Sequence, residues 1–270
     1  MPSLQLGGGA RIDQDASIAY ALARIEASYG VKVSVAGKLK ELFKYGRTTT
    51  VSTNPTTVMT LPGSETEETY ATGNDITHIV SEDTNDDQDI VIEGHTVDAD
   101  GNLNFVIQTA TLEGQGEVTL DTPLHRATRA YNNSSTDLVG PVYIYQTQSV
   151  ITGVPQDDTK VNLIIPTGEN QSQKASTSLS QYDYWIVTGF TGNVIQKAAV
   201  YADFRIKVKL KGNVFRQIGP SITVASGPGR DLNFSPYIIV PANADVILEA
   251  TGSGAIDVSG SINGYLATVL

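Results

Sequence analysis

The sequence predicts a mainly β protein: antiparallel β-sandwich or jelly-roll domains with a short helical module at the N-terminus. Three observations carry this. Residues 200–214 (VYADFRIKVKLKGNV) place Val200, Ala202, Phe204, Ile206, Val208 and Leu210 on one parity and Arg205, Lys207, Lys209 and Lys211 on the other. That alternation is the mark of a long strand with one buried and one wet face. The 270 residues include 25 Gly and 11 Pro, which punctuate many short apolar runs at fairly regular spacing. Helical periodicity is confined to the first fifty residues.

Taken in order, Met1–Ala10 contains Gly7-Gly8-Gly9 and reads as an arm. A helix is expected from about Asp15 to Tyr29, capped by Asp15, with Ile18, Leu22 and Ile25 on its apolar stripe and Gly30 at its end. A second short helix is expected from about Val35 to Tyr45. Leu39, Leu42 and Phe43 form its apolar face, Lys38, Lys40 and Lys44 its wet face, and Gly46 its stop. This pair of helices either packs on its own chain or docks on a partner; the nine residues just named from Ile18 to Lys44 are the candidate partner-binding set.

Beyond Arg47 the chain turns rich in Thr, Val, Gly and Pro. Thr48–Leu61 reads as an extended crossing segment and Ser81–Asp89 as an acidic loop. Strands are expected at Ile90–Glu93, Leu103–Leu112, Val118–Leu120, Arg126–Tyr131 and Val142–Tyr145, with Asp100-Gly101 as a type I′ hairpin signal. After the turn cluster Thr152–Pro155, strands are expected at Val161–Ile165, Tyr184–Thr188, Val194–Ala198, Val200–Leu210, Val214–Ile218, Asp231–Phe234, Asp245–Ala250 and Asp257–Leu266. Gly212-Asn213 is the type II′ signal between two of them. The expected division is a 1–47 arm and helical module, a 48–152 acidic sandwich and a 153–270 jelly-roll-like sandwich. One large sandwich sharing strands from both halves is the alternative.

Charge supports a distinct N-terminal segment. Residues 1–50 carry seven Lys/Arg and four Asp/Glu, a net of +3, which leaves −14 of the total −11 for the rest. Residues 61–121 contain fifteen acidic residues and no Lys or Arg. Such a body repels nucleic acid. No run reaches the length of a membrane span, and the N-terminus lacks the pattern of a signal peptide, so the chain is expected to be made in a cytoplasm. With no Cys there are no disulfides or thiolate metal sites.

No motif points to catalysis, a cofactor or a metal. His78, His95 and His125 lack zinc-ligand spacing. No nucleophile elbow or phosphate loop is present. Asp98–Asn102 faintly matches a calcium loop, but no bidentate Glu follows at the right distance, and a hairpin turn is the better reading. Tyr143 and Tyr145 share a strand face and could pack at a core edge or stack on sugars. The Arg205–Lys211 cations are either a solvated face or partners for the acidic segment.

The stretches Ile92–Tyr145, Gln171–Thr188 and Ile238–Ala267, with LKELFKYGR at Leu39–Arg47, resemble structural proteins of tailed bacteriophages, especially those of aquatic hosts. The resemblance spans most of the chain and implies no catalytic residues. It implies a virion component, foremost a capsid decoration or cement protein held on the major capsid protein or another virion protein through its N-terminal module. A tail, fibre or adaptor protein, with host glycan as a possible ligand, is the alternative. Long strands, exposed tyrosines and separated charge blocks add the expectation of a homo-oligomer, foremost a trimer.

Overall fold

The computed structural model describes residues 18–28, 39–63, 65–196 and 199–269. The described residues form one α-helix, α1 (residues 18–28), a single 3-10 turn at Asp158–Lys160, and a set of strands. The first strands are β1 (Leu39–Val51), β2 (Thr56–Thr57), β3 (Ile76–Ser81), β4 (Asp89–Val97), β5 (Leu103–Thr111), β6 (Val118–Leu124), β7 (Arg126–Asn132), β8 (Val142–Gln146) and the small hairpin β9 (Val150–Ile151) and β10 (Val154–Pro155). They are followed by β11 (Val161–Ile165), β12 (Ser176–Ser178), β13 (Asp183–Val194), β14 (Tyr201–Lys209), β15 (Arg216–Ala225), β16 (Arg230–Val240), β17 (Asp245–Gly252) and β18 (Ile256–Thr268). The fold is mainly antiparallel β, as the sequence predicts.

Four sheets make two sandwiches. In the first, a sheet ordered β11-β8-β3-β6 faces one ordered β5-β4-β7. Their inward residues, including Ile79, Ile90, Ile92, Leu124, Ile144 and Ile165, form one core. In the second, β1-β18-β13-β16 faces β12-β17-β14-β15, with β2 also paired to β17. Trp185, Phe190, Phe204, Leu248 and Ile262 fill the space between them. Strand parity explains both cores: on β14, Ala202, Phe204, Ile206 and Val208 are buried while Asp203, Arg205, Lys207 and Lys209 are half-buried on the other face. Tyr145 is fully buried on the outer face of its sheet, against Val80, Val161 and Ile164, so it packs rather than stacks on ligand.

The second expected helix, Val35–Tyr45, is not helical where it is described: Leu39–Val51 is the long edge strand β1, paired residue for residue with β18 from Leu39↔Ala267 to Thr48↔Val258. The spacing of Leu39, Leu42 and Phe43 imitates a helix, but Leu42, Lys44, Gly46 and Thr48 share one strand face, and β18 supplies the backbone partners. Gly46 is no stop. A Cβ there would lie 2.0 Å from Val58 O and 2.4 Å from Ala175 N, so only glycine lets the strand pass these backbones. The expected break at 47/48 falls inside β1. Likewise β11, expected after the break near 152, belongs to the first sandwich.

Other differences are local. The strand expected at 184–188 is longer, β13, and runs on to Val194 past a register shift between Val187 and Gly189. The separate strand expected at 194–198 is not seen, since only Val194 of it lies in a strand and residues 197–198 lie outside the described residues. Strand β3 was not expected at all; a register shift between Ile76 and His78 breaks its alternation. Asp98–Gly101 is not a type I′ turn. Only Gly101 has positive φ, and Gly101 N–H donates to Asp98 O, the form of a type I turn closed by a left-handed glycine. Gly212 is the third residue of a turn closed by Asn213 N–H to Leu210 O, and pairing resumes only at Val208↔Arg216. That is a longer loop than the type II′ turn expected.

Candidate functional site at the seam between the sandwiches

The seam joins β4 and β7 of the first sandwich to β1, β12 and β17 of the second. Arg126, at the start of β7, donates from Nε and Nη2 to the two carboxylate oxygens of Asp245 at 3.1 and 3.3 Å. Its Nη1 donates to Ala71 O and His125 O, and its guanidinium lies over the Tyr70 ring at 4.5 Å. Asp245 also accepts from Ser178 Oγ at 2.6 Å. Burial works against the Asp245 charge, yet Arg126, Ser178 and Lys209 outweigh it and hold its pKa below the usual carboxylate value.

A second pair lies beside it. Lys174 Nζ donates to Glu68 Oε1 at 2.5 Å and to Ala127 O at 2.7 Å, and both side chains are buried. Glu68 Oε2 accepts from Ser176 Oγ and Tyr70 OH. The cationic face of β14 is also paired. Arg205 and Lys207 both reach Glu249 on β17, and Lys209 lies 3.7 Å from Asp245. Of that row only Lys211 meets the acidic segment, donating to Asp100 O and Asn102 Oδ1. That ammonium sits on the loop that faintly matched a calcium site, and Asp98 is occupied by the backbone N–H groups of Asp100 and Asn102.

The nine candidate partner residues do not act together. Ile18, Leu22 and Ile25 on α1 pack against Tyr184, Ile186, Ala267 and Val269, on the outer face of the sheet that holds β13 and β18. They are part of the fold and not a free docking stripe, because the sheet offers them an apolar face. Leu42 is half-buried against the second core, Leu39 is exposed, and Phe43 is 63 % exposed. Lys40 and Lys44 line a cleft of about 360 Å³ along the edge of β1, facing Glu93, Arg129 and Lys174. Lys38 lies outside the described residues, as do the arm, Asp15 and Gly30.

Lys44 is buried and donates to Thr128 O at 3.4 Å. Burial lowers its pKa to about 8, with Glu93 opposing and Lys174, Arg129 and Lys40 adding to the shift. His95, also buried, is pushed down to about 3, first by burial and then by Lys44, and is neutral at ordinary pH. Glu93, His95, Arg129 and Lys174 were not candidates in the sequence. A lone Lys in a run of small polar residues (QSQKASTS) and two arginines on β7 were the only signals, and neither says what it faces. Among the described residues no group of His, Asp and Glu is arranged to hold a metal, and no helix is long and apolar enough to cross a membrane.

No family model and no curated protein matches the chain. Solved structures with some likeness include the T13 particle of infectious bursal disease virus, at 9 % identity and a TM-score of 0.24 over 95 % of this chain and 76 % of that one. The VP2 subviral particle of the same virus aligns at 10 % identity and a TM-score of 0.22, over 92 % and 78 %. The CBM22-1–CBM22-2 tandem domain of Paenibacillus barcinonensis Xyn10C aligns at 11 % and 0.22, over 87 % and 100 %. At these scores they carry no argument about this chain.

Proposed function

We propose that the chain is a virion structural protein of a tailed bacteriophage, a capsid decoration or cement protein that binds the assembled shell as a homotrimer. The observation that supports this reading is the seam. Its strongest charged groups are used within the chain: Arg126–Asp245 fastens one sandwich to the other, and Lys174, paired with Glu68, crosses the seam to Ala127 O. That is the economy of a building part, and the sequence resemblance points the same way. Because α1 is folded onto its own sheet, attachment moves to the exposed side of β1, where Leu39, Phe43 and Tyr45 stand out beside the helix.

Purified particles stripped of this protein test the reading. The whole chain rebinds them in many copies, and Phe43→Ser weakens rebinding at least tenfold without changing the melting temperature. A dozen copies or fewer per particle favours the tail, fibre or adaptor reading, and unchanged rebinding by Phe43→Ser overturns the β1 attachment. Light scattering that finds a monomer both free and after release from particles overturns the trimer.

A further inference from the structure

Three of the cations at the seam are accounted for: Arg126 has Asp245, Lys174 has Glu68, and Arg129 has Glu93 at 3.2 Å. Lys44 is the exception. Its side chain is almost wholly buried, and among the described residues no carboxylate lies within ion-pair distance of it. A buried ammonium with one long hydrogen bond is costly unless something else satisfies it.

What surrounds Lys44 indicates what that something is. β1 pairs with β18 on one side only, so from Lys40 to Tyr45 its other edge borders the cleft. The cleft volume, about 360 Å³, lies in the range of small-molecule sites. A smaller pocket of about 100 Å³, called the inner cavity below, adjoins it and shares Lys40, Leu42, Lys44, Glu93 and Thr128 with it. It is lined further by Phe105 and by Asp183, whose carboxylate oxygens accept from Ser180 Oγ and Thr268 Oγ1. The inner cavity has room for several waters or for an oxyanion head. His95 also lines the inner cavity; it is 3 % exposed, and its Nδ1 has no hydrogen-bond partner among the described residues. A neutral imidazole can donate from one ring nitrogen. The outer cleft is different. Glu93, Arg129 and Gln171 offer donors and acceptors in both senses, and the exposed Phe43 ring stands at its rim. Hydroxyl groups beside a flat apolar face fit that lining.

We propose that the seam binds an acidic sugar, its carboxylate seated between Lys44 Nζ and His95 Nδ1 in the inner cavity and its hydroxyls against Glu93, Arg129 and Gln171. The cleft shares Phe43 and Tyr45 with the attachment edge proposed above, so it is tested on the free chain rather than on particles. The carboxylate supplies the charge that Lys44 lacks and raises the Lys44 pKa from about 8, so binding in alkaline solution takes up a proton. The charged groups around Lys44 are Lys40 on its own strand, Glu93 on β4, Arg129 on β7 and Lys174 before β12, with Asp183 on β13 lining the same cavity. His95, facing Lys44, Arg126, Asp245 and His125, stays neutral and acts as a donor.

Calorimetric titration of the whole chain with galacturonate, galactose and acetate tests this. Galacturonate is expected to bind at least tenfold more tightly than either of the others. At pH 8.5, titrations in two buffers of different ionisation enthalpy should show net proton uptake. Lys44→Met should abolish galacturonate binding while leaving the melting temperature equal or higher, and His95→Gln should weaken binding about tenfold. Lys207→Met, away from the cleft, should bind as the native chain does. Equal binding of galactose and galacturonate, native binding by Lys44→Met, or no binding of galacturonate at millimolar concentration overturns the site. Equal binding of acetate and galacturonate overturns the sugar. If Lys44→Met does not fold, a tenfold weakening with proton uptake retained in His95→Gln at unchanged stability decides in favour, and native binding there decides against.

Discussion

Phe204 and Arg205 are adjacent in the chain and face opposite surroundings. Phe204 is fully buried, and its ring lies directly against Gly192, where a Cβ would come within 2.5 Å of it. Phe204→Ala is expected to cost roughly 3–5 kcal/mol, since the glycine opposite cannot fill the space left. Arg205→Ala should cost much less, because Lys207 still holds Glu249. Urea melts of the two variants check the order; equal costs would refute the parity. Lys44 gives a pH signature at the same scale. Its folded pKa, about 8, lies below the unfolded 10.5, so the unfolded state binds the extra proton between them. Its burial therefore disfavours folding below about pH 8, and that penalty is relieved as pH rises toward 10.5. Lys44→Met should flatten this rise in stability, measured by melts from pH 7 to 10. Residue environments of the first kind were legible in the sequence because alternation fixes which face a side chain takes. The Lys44 environment was not, since it depends on Glu93, Thr128 and Lys174, which are distant in sequence and meet only across the seam.

At the scale of elements, β14, with its unbroken alternation, could be read directly. β5 could be read as a strand but not by face, because Phe105 and Ile107 on its apolar parity are exposed while Val106 and Ala110 meet the core. Of those interrupted by a register shift, β3 was missed and β13 was cut short at Thr188. β1 shows a different limit: Leu39, Leu42 and Phe43 fit both a helix and a strand, and only β18 decides between them. This gives two truncations opposite outcomes. A chain beginning at Leu39 loses α1 and uncovers Tyr184 and Ile186, so it should keep a β-type circular dichroism spectrum and melt lower. A chain beginning at Thr48 also loses most of β1 and leaves β18 as an unpaired edge, so it should be insoluble or melt far lower. Similar melting of the two would mean that β1 contributes nothing to the second sandwich.

For the whole molecule, the seam decides whether the sandwiches unfold together. Arg126→Met leaves Asp245 buried without its main partner, a change that typically costs 3–5 kcal/mol, about as much as Phe204→Ala. Calorimetry should show one transition for the native chain and two for Arg126→Met. The deficit should shrink in acid. Asp245 has a folded pKa below its ordinary 3.8, so the native pair contributes fully above that value and is lost as pH falls through the folded pKa. Replacing both partners, Arg126→Met with Asp245→Leu, should recover much of the loss, since no charge is then stranded.

Strand β7 is the outer strand of its sheet; residues 170–172 pair with its far end, from Ala130 to Asn132, and its carbonyls at Ala127 and Thr128 are taken by the ammonium groups of Lys174 and Lys44. These cations stand where the N–H groups of an added strand would have to come. A sheet edge guarded in this way resists growth by recruitment of further chains, the route by which exposed strands seed fibrils. That is protection against self-templated aggregation. Lys174→Met should remove part of the guard, and seeded thioflavin fluorescence during prolonged warming should rise earlier than for the native chain.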